Sequence, residues 1–395
     1  MKICLIHNAY YRHSGEETVV ENTRRLLEER GHLVTTYFKS SEEIPDMYFG
    51  RTRAFFSGIY SFSSKKAMRR LLAEYKPDIV HVHNVFPLIS PSVLGECRKA
   101  GVPIVMTVHN YRLVCPNGLH MVRSQICEKC SGGREWWCVL RNCERNLFKS
   151  LGYALRNYIA RTLRLFHDNV TMYICLTEFQ KRKLIVAGLP EDRIAVIPNM
   201  CSIQTKESSS EGDYVGYVGR LSPEKGIDVL LQCAQILQSV RFRVAGEYVR
   251  GPDISRGAPS NIEFCGFLQG DDLNMFRRQM RIAVMPSLWY ETFGLILAEA
   301  SLYGKPVVAS RLGAMAEIVD DGKTGLLFDS GNAEDLARKI RTLWDDPELC
   351  RQMGQAGKEK ALREYSPEKY YDRLMAVYEK AIKLDSPHRD EHPFH

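Results

Sequence analysis

Ile3-Cys4-Leu5-Ile6 is followed by a helical stretch from Glu17 to Arg30, a stop at Gly31, and then Leu33-Val34-Thr35-Thr36-Tyr37-Phe38. A short apolar run, a helix closed by glycine and a second apolar run read as strand, helix, strand. Working outward, the theme recurs. Ile79–Val82 and Ile104–Val108 are further strands, the second introduced by Gly101-Val102-Pro103. Near residue 200 the pattern restarts. Ile194–Ile197 ends at Pro198-Asn199, a polar stretch from Thr205 to Asp213 reads as the linker, and six more apolar runs follow: Tyr214–Val218, Arg241–Ala245, Ile262–Cys265, Ile282–Met285, Pro306–Ala309 and Gly325–Phe328. Strands alternating with helices predict parallel, doubly wound sheets.

The expected fold is therefore α/β, with two Rossmann-like domains over 1–200 and 201–365 facing a cleft, where ligands of open α/β sheets bind. Ser366-Pro367-Glu368 opens a last helix over 366–384, Ser as cap and Pro at the first helical position. That helix is expected to pack back on the N-terminal domain, and 385–395 to be a disordered tail.

A chain of 395 residues is too long for one ordinary core. Its 45% hydrophobic and 26% charged content is that of a soluble globular protein. No run approaches the ~20 apolar residues of a membrane span. Met1–His7 is interrupted too early for a signal peptide, which points to the cytoplasm. The formal net charge of +7 is unevenly spread. Met47–Ala73 holds Arg51, Arg53, Lys65, Lys66, Arg69 and Arg70 with no acid, and Phe49, Phe55, Phe56, Tyr60 and Phe62 are interleaved. A second basic stretch, Arg141 to Lys183, places Arg145, Lys149, Arg156, Arg161 and Arg164 along a helical pattern. Such stretches suit either a solvated helix face or an anionic bilayer at the inner membrane face. No nucleic-acid-binding motif accompanies them.

A dehydrogenase loop fails its test. After the first strand, His7 to Glu16 contains the single glycine Gly15 and no G-x-G-x-x-G. There is no Walker loop and no Asp-x-Asp pair. A diphosphate leaving group without a metal needs cations and backbone donors. Gly219-Arg220-Leu221-Ser222-Pro223-Glu224-Lys225-Gly226 offers Arg220 and Lys225 at the end of a strand, with Ser222 as expected helix cap. A surface turn with solvated charges would look the same. Glu291 and Glu299 are eight residues apart, roughly 80° and about 12 Å if both were helical. They are therefore not an adjacent pair. Glu291 is expected before the helix and Glu299 within it, leaving the amides of Phe293, Gly294 and Leu295 as an open N-terminus suited to an anion. A buried core carboxylate is the alternative for Glu299, costly without a partner.

Glu291-x7-Glu299 with Phe293-Gly294 resembles the signature of retaining GT-B glycosyltransferases of family four (group 1). Gly219-Arg220-Leu221 through Lys225-Gly226 is similar to their basic motif. Pro198-Asn199, Gly313–Glu317 and Gly322-Lys323-Thr324-Gly325 fit the same pattern, so the resemblance runs to about residue 384. It implies a sugar transfer from a nucleotide diphosphate donor, a UDP-sugar first and a GDP-sugar second, to a saccharide or lipid-linked saccharide. Arg220 and Lys225 would neutralise the diphosphate, Glu299 would hold ribose hydroxyls, and Glu291 would hold the transferred sugar, assisted by the Phe293 and Gly294 amides. Gly15 would let the first loop approach the diphosphate, although Ser14-Gly15 stands where many relatives have two glycines. His109, in Thr107-Val108-His109-Asn110, matches the family's histidine beside the donor sugar; a strand-end cap is the plainer role. The resemblance also implies retention, with the leaving phosphate taking the acceptor's proton. A nucleotide-sugar epimerase and a non-catalytic nucleotide-sugar or glycan-binding protein are the competing readings.

Five of the twelve cysteines fall between Cys115 and Cys143. Cys127-Glu128-Lys129-Cys130 with flanking thiols has the character of a structural zinc site in an insertion over 115–143. The expected ligands are Cys115, Cys127, Cys130 and Cys143, with Cys138 left out; reduced, unliganded thiols are the alternative. A cysteine-bearing subset of the same family, which builds bacterial and archaeal surface polysaccharides, resembles this segment.

Overall fold

The computed structural model describes residues 1–10, 15–44, 57–201, 212–248 and 257–390, with side chains to 385. The chain divides into two compact units. One comprises Met1–His120, Cys127–Ile197 and the chain from Tyr370 on; the other comprises Met121–Ile126 and Pro198–Lys369. The polar linker expected over 205–213 lies largely outside the described residues, as do Arg51, Arg53, Phe49, Phe55 and Phe56.

In the first unit β1 (Lys2–Ala9), β2 (Leu33–Ser40), β3 (Ile79–Asn84), β4 (Ile104–Thr107), β7 (Met172–Cys175) and β8 (Ile194–Val196) form one sheet in the order β2-β1-β3-β4-β7-β8. Every pairing is parallel. β3, β4 and β7 are buried along their whole length, as central strands covered on both faces must be. Strand β7 was not read from the sequence. The helical pattern from Arg145 to Arg164 is the helix Leu147–Thr162, and the rest of the basic stretch to Lys183 holds β7 (Met172–Cys175) and part of the helix Glu178–Val186.

The second unit is a sheet of β9 (Tyr214–Val218), β10 (Phe242–Ala245), β11 (Ile262–Gly266), β12 (Met280–Met285), β13 (Val307–Ser310) and β14 (Gly325–Phe328), ordered β11-β10-β9-β12-β13-β14 and parallel throughout. Its core joins Val215, Tyr217, Phe242, Ile282, Val308 and Phe328 of the strands to Leu230, Leu336 and Ile340 of the helices. Counted by position along the chain this is the order 3-2-1-4-5-6 of dinucleotide-binding sheets, whereas the first unit has 2-1-3-4-5-6. In each sheet the order reverses at one switch point: between β1 and β3, and between β9 and β12.

The small hairpin of β5 (Met121–Val122) and β6 (Gln125–Ile126) was not legible. Its turn puts Arg123 at φ +50° and Ser124 at φ +61°. Two-residue hairpin turns with both central residues at positive φ ordinarily use Asn-Gly. The last helix spans Pro367–Asp390, so its first turns past Leu384 are helical where a disordered tail was expected; 391–395 lie outside the described residues. Tyr370, Leu374, Tyr378 and Ala381 are buried in the first unit. Tyr370 Oη meets Thr23 Oγ1 at 3.0 Å, and Tyr378 Oη meets His81 Nδ1 at 2.7 Å.

Candidate active site

The loops that follow β9 and β12 meet at the switch point of the second sheet. Gly226 explains how closely. It sits at φ +71°, and a Cβ there would lie 1.8 Å from the Pro286 carbonyl oxygen. Only glycine permits both the turn and the approach. The Leu288 amide donates to the Glu224 carbonyl at 2.9 Å and ties the loops again. As a result Lys225 Nζ donates to Glu291 Oε1 at 2.7 Å. Ser287 Oγ and Trp289 Nε1 donate to the same oxygen at 2.7 and 2.8 Å. The Lys225 ammonium also lies 5.3 Å from the Trp289 ring centroid. Glu291 is buried, so three donors, one of them a cation, stabilise an otherwise costly carboxylate. Among the described residues no hydrogen bond reaches Oε2, which leaves that oxygen as a fixed acceptor.

Arg220 stands apart from this pair. Its guanidinium is half exposed and pairs with Glu224 at 3.5 Å, and its carbonyl accepts from Tyr217 Oη at 2.8 Å. Ser222 corrects the sequence reading. It precedes a short 3-10 turn, Pro223–Lys225, but makes no side-chain cap bond, and the α-helix Ile227–Ile236 starts only after Gly226. The Ser222 hydroxyl is buried with no partner among the described residues.

Glu291 precedes and Glu299 lies within the helix Leu295–Leu302. Gly294, at φ +77°, turns the chain into that helix, and Phe293 is buried edge-on against Tyr365 at 5.2 Å. In the first turn the Leu297 amide donates to the Gly294 carbonyl at 2.9 Å, which leaves the amides of Leu295 and Ile296 as the donors of the helix N-terminus. Glu299 does not approach Lys225 in the manner of Glu291; it pairs with Arg277. Burial raises the Glu299 carboxyl above its ordinary range, and Arg277 opposes that rise. Arg277 was missed because it ends the helix Gly270–Gln279, where a basic residue complements the helix dipole and needs no partner.

In the first unit β1, β3 and β4 are neighbours, and their C-terminal ends bring His7, His83 and His109 together. A hydrogen bond of 2.9 Å joins His83 Nδ1 to His109 Nε2, with the rings stacked at 5.2 Å. His81 is held between Tyr378 and Thr107. Burial, reinforced by the neighbouring histidines, pushes His109 down to about 3, so the ring is neutral at physiological pH. His7 lies 3.7 Å from both Glu16 and Glu17. Both His7 ring nitrogens and His83 Nε2 are buried without a hydrogen-bond partner among the described residues. Gly15 opens the helix Gly15–Glu29; the rest of that loop, Ser14 included, lies outside the described residues.

The expected zinc site is not formed. Among the described residues no three His, Cys, Asp or Glu side chains are placed to hold one ion. Here Cys115 Sγ donates to Asn117 Oδ1 at 3.0 Å, and burial pushes Cys115 up to about 11 and Cys130 up to about 12. Cys143 pairs instead with Cys138, the thiol left out of the proposed set. Cys130, Cys138 and Cys143 pack with Ala154 in a small apolar cluster.

The basic stretches are also more internally paired than their sequences suggest. Lys65 and Arg69 both bind Glu96, at 3.3 and 2.8 Å. Arg156 is buried, stacked 4.4 Å from the Phe86 ring centroid and donating to the Pro116 carbonyl at 3.0 Å. No described helix is long and apolar enough to cross a membrane.

Comparison with known proteins agrees with this arrangement. Residues 202–360 match the family Glycosyl transferases group 1, and residues 13–204 match Glycosyltransferase Family 4. An uncharacterized glycosyltransferase of Methanocaldococcus jannaschii is 28% identical over 96% of this chain and 98% of its own. The sulfoquinovosyl transferase SQD2 of Arabidopsis thaliana is 27% identical over 88% of this chain and 67% of its own. Among solved structures, Anabaena HepE in complex with UDP-glucose superposes with a TM-score of 0.67 at 19% identity, covering 96% of this chain and all of that one.

Proposed function

This chain belongs to the glycosyltransferases of group 1 and family 4 and has their GT-B fold, and from that premise we propose that it moves a sugar, with retention, from a UDP-sugar to a saccharide or lipid-linked saccharide. The observation that carries the reading is the Lys225–Glu291 pair at the switch point of the second sheet. Its carboxylate is fixed through one oxygen and offers the other to a sugar hydroxyl. Its ammonium is available to an incoming diphosphate, which replaces Glu291 as the counter-charge. Arg220, half exposed at the same strand end, is the second cation for the diphosphate.

As the glycosidic bond to the leaving phosphate lengthens, negative charge grows on the phosphate oxygens. Lys225, Arg220 and the amides near Phe293, Gly294 and Leu295 stabilise that charge more in the transition state than in the bound donor. The acceptor hydroxyl attacks from the same face, and its proton passes to the departing phosphate oxygen. No side-chain nucleophile is required. Glu299, oriented by Arg277, takes the ribose hydroxyls. In the first unit, neutral His109 and His83 supply donors and acceptors without charge, which suits a hydroxyl-rich ligand. The HepE complex with UDP-glucose is the reason for favouring uridine.

The test is calorimetric binding and slow hydrolysis of UDP-, GDP-, ADP- and dTDP-sugars by wild type, Lys225→Ala and Glu291→Ala. One preferred donor whose binding or turnover is lost in both variants is expected. Epimerised donor in the absence of acceptor would instead identify an isomerase, and no binding to any donor by folded protein would leave a glycan-binding role.

A further inference from the structure

The helix Leu147–Thr162 turns an apolar stripe toward solvent. Its inner face buries small and polar groups, Ser150, Gly152, Ala154, Asn157 and Ala160. Its outer face carries Leu147, Phe148, Leu151, Leu155 and Tyr158, and Phe148 is 84% exposed. Positions 148, 151, 155 and 158 share one side of a 3.6-residue helix. This inverts the usual surface helix, whose apolar side faces the core. Trp136 and Leu140 on the preceding short helix Trp136–Leu140, and Leu163 just beyond, are exposed as well. Scattered exposed apolar residues need no explanation, but a stripe along a helix marks an interaction surface.

The surroundings are basic. Residues 134–164 hold seven Lys and Arg against Glu135 and Glu144, a surplus of five in a chain whose formal net charge is +7. The two acids are occupied: Glu144 binds Lys149 and Glu135 binds Arg161, each at 2.7 Å. Arg156 is buried, while Arg134, Arg145 and Arg164 are exposed, Arg164 pairing with Asp168. Apolar side chains on one face with an unbalanced positive charge beside them fit a surface that is hydrocarbon below and anionic above.

We propose that this helix docks the protein on an anionic lipid bilayer, with Phe148, Leu151 and Leu155 entering the acyl boundary and Arg145, Lys149 and Arg134 meeting the headgroups. An isologous contact with a second copy is disfavoured by charge, because it would set this positive surface against itself. The inference deepens the proposed use of a lipid-linked acceptor and rests on that reading only for its purpose, not for its geometry.

The test is co-sedimentation of the full chain with vesicles of phosphatidylcholine alone or mixed with phosphatidylglycerol. Wild type is expected to pellet only with the anionic vesicles and to be partly released by salt. Phe148→Glu with Leu151→Glu should lose at least tenfold in partitioning, and Arg145→Glu should lose less and change the salt dependence. Unchanged circular dichroism and unchanged UDP-sugar binding keep loss of fold and loss of the donor site separate from loss of docking. Wild type remaining in the supernatant, or equal partitioning of wild type and the double variant, overturns the proposal. So does a dimer by light scattering that the double variant dissolves, which would make a second copy the occupant.

Discussion

Lys225 and Glu291 are 66 residues apart in the chain and form a partly buried hydrogen-bonded ion pair at 2.7 Å. Neither residue is placed by its own segment alone. Lys225 closes a 3-10 turn after β9, Glu291 precedes a helix after β12, and the parallel pairing of those two strands makes them neighbours.

Breaking the pair should destabilise the protein more than replacing it. Removing one partner of a buried pair leaves an uncompensated charge, at a cost of about 3–5 kcal/mol. Lys225→Met or Glu291→Gln is expected to lower the urea midpoint markedly, and the double variant to lose less than the sum by about 1–3 kcal/mol. Strict additivity in urea unfolding would show that the two do not interact. Where folding is retained, Lys225→Met should also slow donor turnover by about 10²- to 10³-fold.

Gly226→Ala should act on the site through the backbone. The new Cβ meets the Pro286 carbonyl at 1.8 Å in a left-handed conformation, so the two loops must separate. The expected result is a lower melting temperature together with weakened donor binding. By contrast Gly31→Ala, also at positive φ but with open space around its Cβ, should cost about 1 kcal/mol and leave donor binding unchanged.

Stability should fall in mild acid. His81 and His109 are buried neutral, pushed from 6.5 down to about 3, and His83 is lowered as well. Between pH 6.5 and 3 the unfolded chain binds protons that the folded one does not, so stability is full above 6.5 and is lost as pH drops. Each such group contributes a slope of about 1.4 kcal/mol per pH unit. Glu16, raised by burial to about 8, has the opposite sign: its contribution is full below 4.5 and lost as pH rises through 8. With three histidines against the two raised carboxyls Glu16 and Glu299, a melting temperature that rises from pH 4.5 to 6.5 is expected; a flat or falling profile there would contradict the burial of the histidine cluster.

Alkylation should separate the paired thiols. The hydrogen bond from Cys138, helped by Arg141, holds Cys143 below the ordinary thiol range, while the same contact and burial hold Cys138 above it. Cys143 is half-buried and Cys138 fully buried. Iodoacetamide followed by mass spectrometry should label Cys143 well before Cys138. Equal rates would mean that the pair is not formed.

The apolar runs determined most of the fold by themselves. Ile3–Ile6, Ile104–Val108 or Ile282–Met285 have too few polar positions to sit anywhere except inside a parallel sheet, and Gly31 or Pro367 punctuates a helix whatever surrounds it. The motif around Glu291 was equally local, since Phe293-Gly294 and the following helix are consecutive in the chain. What only the tertiary structure decided is adjacency. His7, His83 and His109 lie on three strands, and the sheet order alone makes them one cluster. Arg277 became the partner of Glu299 through packing between two helices, which no local pattern encodes. Met172–Cys175 went unread because it lies inside the basic stretch from Arg141 to Lys183, which was read for its charge rather than for its apolar runs. Arg123 and Ser124 went unread because neither is the glycine that a left-handed turn normally needs. The cysteine spacing misled for the same physical reason: separation along the chain does not say whether thiols converge on a metal or pair among themselves in an apolar cluster.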